Sequence, residues 1–220
     1  MPAAARDTTP DLRARLVAAA EELFFARGVE AVSLREIGVA AGARNASAVQ
    51  YHLRDRAGVI QAILDKHRPD VDARRHALLD ALEADGDGDL WQLAAAYVRP
   101  LAAKLTDPAG GPGYLQVMAD LVTRPEPVVA WIGGEDPSDS TARWRALVTP
   151  FMAPGGVELH RRFTAMQFTH TQLARRAHET RRNDQRLFTS HLTDLVAALL
   201  GAPVSPQTAR LRRSTRSTSR

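Results

Sequence analysis

The hydrophobic positions recur at helical intervals along most of this chain. From about Asp11 to Arg27, Leu16, Ala20, Leu23 and Phe24 share one face and Gly28 supplies the stop, which predicts a helix. Ser33 to Leu53 reads as two shorter helices around a glycine turn. Ser33 and Glu36 have the S-x-x-E spacing of a capping box, Leu34, Ile37 and Ala41 follow at helical spacing, and Gly42 closes the first helix. Asn45 is a good N-cap for the second helix, in which Val49 and Leu53 face inward and Ser47, Gln50, Tyr51 and His52 are left outside. A fourth helix starts near Asp55, carries Val59, Ile60, Ile63 and Leu64, and is expected to end at Arg68 because Pro69 follows.

Beyond Pro69 the same periodicity predicts helices over about 71–84, 89–105 with a kink at Pro100, 114–123, 141–152, 156–180 and 184–200. Segments 109–113 and 133–140 read as loops. With no run of alternating β-branched residues, the expected class is all-α, with nine to ten helices. The expected organisation is an N-terminal segment 1–10 without structure, a helix-turn-helix domain over 11–68, a larger domain over 69–201, and an unstructured Arg/Ser/Thr-rich tail over 202–220.

Composition changes this picture in three places. Hydrophobic residues make up 45% of 220, enough for one or two domains with buried cores. There is no cysteine, so disulfides, thiolate metal sites and cysteine nucleophiles are excluded. The formal net charge is +4, but residues 202–220 hold five arginines (Arg210, Arg212, Arg213, Arg216 and Arg220) and no acid, so the remainder carries −1. A basic pI is thus a property of that segment and is no argument for nucleic-acid binding by the rest. Neither a secretory signal nor a long apolar span is apparent, and a cytoplasmic location is expected.

A short helix with outward polar side chains, held by a second helix, is the pattern of a helix-turn-helix. Residues 12–67, through AAAEELFFARGVEAVSLREIGVAAG, SAVQYHL and DRAGVIQAIL, resemble the DNA-binding domain of the tetracycline repressor (TetR) family of bacterial transcriptional regulators. The resemblance implies an all-helical homodimer, a palindromic DNA operator, a small-molecule effector and no cofactor or metal, with repression as the family default. It implies base-edge contact for Arg35, Ala46, Ser47 and Ala48, backbone contact for Gln50, Tyr51 and His52, and a phosphate contact for Arg56. Ser33 caps its helix in any case and is a further phosphate candidate. The turn Ala43-Arg44-Asn45 is one residue longer than the family's usual link, which brings Arg44 and Asn45 into the candidate set. Each of these residues also has a plainer use as a cap or an ordinary surface side chain.

Two apolar stripes, Phe163 with Leu173 and Phe188 with Leu192, Leu195 and Leu199, suggest a two-fold helical interface; covering the chain's own core is the alternative. Trp91, Tyr97, Tyr114, Met118, Trp131, Trp144, Met166 and His170 are the bulky groups from which a pocket for a largely apolar effector would be built, and plain core packing is the competing use of each. No HExxH, P-loop, GxSxG or GxGxxG pattern is present and the histidines lack ligand spacing, so an enzyme is not expected. A nonspecific DNA-coating protein using the basic tail is the alternative function.

Overall fold

A computed structural model describes residues 11–43, 48–86, 88–124, 139–179 and 184–218. The fold is all-α, with ten α-helices and no strand among the described residues. In chain order they are α1 (Leu12–Arg27), α2 (Leu34–Ala40), α3 (Ala48–Leu53), α4 (Arg56–Asp85), α5 (Leu90–Ala102), α6 (Gly111–Thr123), α7 (Ser140–Val148), α8 (Arg161–His178), α9 (Gln185–Gly201) and α10 (Pro206–Thr218). No single helix among the described residues is long and apolar enough to cross a membrane.

The helices divide into two compact units, one bounded by Met1–Pro69 and Lys104–Val129, the other by Asp70–Ala103 and Ala130–Arg220. This differs from the division expected at 68/69, because α6 belongs with α1–α3. In the first unit α1 packs on α2, α3 and α6. Its interior is Leu16, Ala20 and Phe24 of α1, Ile37 of α2, Val49 and Leu53 of α3, Ile60, Ile63 and Leu64 of α4, and Tyr114, Leu115 and Met118 of α6, all buried. Asp120 of α6 accepts the backbone N–H of Val29 at 2.8 Å, fixing α6 against the turn after α1. Beneath it, buried Glu21 takes Lys66 Nζ at 2.6 Å and faces His67 Nε2 at 2.8 Å, so a charge that would be costly alone is fully paired.

In the second unit α5 is the central element, packed on α7, α8 and α9. Asp89 and Gln92 form a reciprocal capping box that starts α5, and nearly all of its residues from Leu93 onward are buried. Trp91 Nε1 donates to Asp194 of α9 at 2.6 Å, and Trp144 of α7 donates to the Leu93 carbonyl at 2.8 Å.

Two expectations are corrected. The helix does not end before Pro69: α4 runs through it without interruption. Proline withholds one N–H from the carbonyl of Asp65, and both residues are exposed, so that carbonyl stays open to water and the loss is tolerated. Residues 202–220 are not without structure, since Pro206–Thr218 is helical. Ser205 accepts the Thr208 N–H at 3.2 Å and Pro206 occupies the first helical position, a start signal that composition alone conceals.

Candidate functional site

The first unit builds its outer face from the caps inward. Ser33 Oγ accepts the Glu36 N–H at 3.2 Å and Glu36 accepts the Ser33 N–H at 2.8 Å, the capping box read from sequence. Glu36 also accepts from Arg27 Nη1 at 2.8 Å, which ties the last turn of α1 to the first turn of α2. Hydrogen bonds from the Ser33 side chain and backbone, with Arg27 behind them, pull the Glu36 carboxyl down to about 2. The acid on this face is therefore ionised but spent locally, and does not oppose an approaching anion as a free carboxylate would.

The link from α3 to α4 is similarly determined. Arg54 takes the left-handed conformation (φ 64°), Asp55 accepts the Gly58 N–H at 2.8 Å, and a Cβ at Gly58 would lie 1.9 Å from the Leu53 carbonyl oxygen. Only glycine fits there, and the turn brings the start of α4 directly after α3.

Of the predicted DNA-facing residues, Ser33, Arg35, Gln50 and Tyr51 are exposed, and His52 is half-buried with its ring edge-on to Tyr51 at 5.0 Å between centroids. Tyr51 is 84% exposed, although tyrosine would gain by burying its ring. Arg56 is half-buried and its guanidinium donates to the Val29 carbonyl, so it braces the turn after α1 as well as standing at the start of α4. Arg44, Asn45, Ala46 and Ser47 lie outside the described residues. Sequence reading passed over Val39, which is 72% exposed one turn beyond Arg35 on α2; the i+4 spacing was its signal.

No family model matches this chain, and no curated protein matches it. The likeness of residues 12–67 to the TetR family rests on the motifs quoted from the sequence.

The predicted effector-pocket residues are shared between the two units. Tyr114 and Met118 are buried in the first unit, where Tyr114 stacks on His67 at 5.0 Å. Tyr97, Trp144, Met166 and His170 are buried in the second, Trp91 is half-buried there, and Trp131 lies outside the described residues. Within the second unit Trp144 lies 4.5 Å from the Tyr97 ring and Tyr97 Oη is 3.0 Å from His170 Nε2. Arg75 of α4 sits over the Tyr97 ring at 4.9 Å and donates to Ser140 at 2.7 Å and Thr141 at 3.1 Å.

Burial first, and the Arg75 charge second, push the His170 imidazole down to about 3, so it is neutral near pH 7. Two atoms in this cluster, Arg75 Nε and His170 Nδ1, are buried with no hydrogen-bond partner. Unmatched buried polar atoms are uncommon and costly.

The predicted interface residues also separate. Leu173 and Leu192 are buried within the second unit, Leu192 continuing into Val196 and Leu200 along α9. The stripe Phe188, Leu195 and Leu199 is turned to the side of that row; Phe188 and Leu199 are half-buried, Leu195 is exposed, and Phe188 lies under the Arg176 guanidinium at 4.9 Å. Phe163, Leu187 and Leu195 are the exposed large apolar groups of α8 and α9.

Proposed function

We propose that this protein is a ligand-responsive transcriptional regulator that binds a palindromic operator as a homodimer and releases it when a small molecule is bound. The observation that carries the reading is the α2–α3 pair: a capped helix and a short second helix, packed from beneath, with Arg35, Gln50 and Tyr51 turned outward. Arginine reads guanine through two parallel hydrogen bonds, and an exposed tyrosine suits the sugar-phosphate backbone. Support for the dimer comes from the exposed Phe163, Leu187 and Leu195 of α8 and α9. Support for an effector comes from the second unit's interior, where Arg75 Nε and His170 Nδ1 have unused hydrogen-bonding capacity beside two aromatic rings.

Selection of bound sequences from a random duplex pool tests the reading. An enriched palindrome with half-sites about 34–36 Å apart is the expected product, and sedimentation is expected to give twice the 24.0 kDa chain mass. Arg35→Ala should then lower affinity for the selected duplex by about 1–3 kcal/mol while leaving scrambled duplex little changed. A pool with no enrichment, or equal loss on both duplexes, would overturn base reading by this face.

A further inference from the structure

We infer that α10 is a second DNA-contacting element, one that lays Arg210 and Arg213 against phosphates irrespective of base sequence. This rests on the reading of the chain as a DNA binder and assigns it a separate surface for sequence-independent affinity.

The argument begins with charge. Residues 202–220 contain five arginines and no acid, whereas the remaining chain carries a formal −1. All of the net positive charge is therefore gathered in one short segment. A charge run of this kind is ordinarily a solvated tail, but here it is shaped and held. Ser205 caps the helix, and Arg161 donates to the carbonyls of Ala202 and Pro203, which fixes the joint between α9 and α10.

Arg212 is turned the opposite way from its neighbours. It is partly buried and pairs with Glu158 at 3.1 Å. It fits because Gly155, at φ +87°, has no side chain: a Cβ there would lie 1.7 Å from Arg212 Nη1. One arginine is thus spent on anchoring the helix to the second unit. With that face occupied, Arg210 and Arg213 stand together on the opposite side at i, i+3 spacing, exposed alongside Gln207 and Ser214.

The chemistry of that face selects a polyanion. Guanidinium groups pair with phosphate oxygens as planar, multiply donating cations, and Gln207 adds a neutral amide donor, while the Ser214 hydroxyl is donated to the Leu211 carbonyl at 2.8 Å. A membrane-surface helix needs a continuous apolar face. On the outward side of α10 the large apolar residue among the described ones is Leu211, and the inward side carries Arg212 in its ion pair with Glu158. Duplex DNA, with phosphates in a regular row, is the occupant that this charge complements.

The test is the salt dependence of binding by the full chain, on a selected duplex and on a scrambled duplex of equal length. Arg210→Ala with Arg213→Ala is compared with the wild type and with Arg210→Lys with Arg213→Lys. Each phosphate contact contributes about 0.9 to the log–log slope, so the double alanine variant should lose up to about 1.8 on both duplexes, with their affinity ratio unchanged. The lysine variant keeps the charge and should keep the slope.

An unchanged slope in the alanine variant overturns the assignment, as does a loss confined to the selected duplex. Binding to phosphatidylglycerol vesicles that the alanine variant loses, with its DNA slope intact, would move α10 to a lipid surface. If no duplex is preferred by the wild type the regulator reading fails, while the slope on scrambled duplex still decides the role of α10.

Discussion

His170 is a buried titratable residue whose surroundings set its charge. Its pKa falls from an ordinary 6.5 to about 3 because burial, helped by Arg75, disfavours the imidazolium. The unfolded chain therefore binds a proton below pH 6.5 that the folded chain refuses. Stability from this residue is complete above pH 6.5 and is lost as pH falls toward 3, at about 1.4 kcal/mol per pH unit within that window. His170→Gln removes the titration while keeping a hydrogen-bonding group for Tyr97. Urea denaturation at pH 7 and pH 4.5 should show a smaller difference in the variant than in the wild type. An equal difference in both would place the acid sensitivity elsewhere.

At the scale of elements, the parts read correctly from sequence are those whose cause is local. The Ser33–Glu36 box is a matter of three intervening peptide units, and its bonds form as the spacing implies. Ser33→Ala should destabilise the fold by about 1 kcal/mol, visible as a lower Tm, and Glu36 should titrate closer to an ordinary carboxyl by NMR. If the Glu36 titration does not move, Arg27 alone holds it. Elements governed by surroundings were misread. Pro69 looks like a stop, yet one missing hydrogen bond on a solvent-facing side is cheap to a long helix packed over most of its length. The arginines of α10 suggest a free coil, while the decisive residues were Ser205, Pro206 and a glycine fifty positions upstream. On α9 the apolar stripe was read one row aside from the buried series Leu192, Val196 and Leu200, because Leu, Val and Ala occupy both rows.

For the whole molecule, the all-α class was legible from periodicity, but the partition was not. The contact of Asp120 with Val29 joins residues 91 apart, and nothing in either neighbourhood announces the other. The same holds for the candidate site: Arg35 and Tyr51 were found by register, whereas the bond from Arg56 to the Val29 carbonyl required the folded turn. Because α6 completes the first unit, a chain cut after Pro69 leaves the α6-facing side of α1 bare. Circular dichroism should show that fragment melting without a cooperative transition. A chain cut after Gly201 loses α10 and its partly exposed ion pair with Glu158 and should melt within a few degrees of the full chain. Cooperative unfolding of the shorter fragment would mean that α6 is dispensable.

The interleaved partition also sets a timetable for synthesis. Helices α1 to α3 are translated early, but the α6 segment that finishes their core comes some fifty residues after Pro69. At about 5–20 residues per second, a ribosome takes roughly 3–11 s to cover that distance. For that interval a nascent chain displays Arg35 and Tyr51 on an unfinished support.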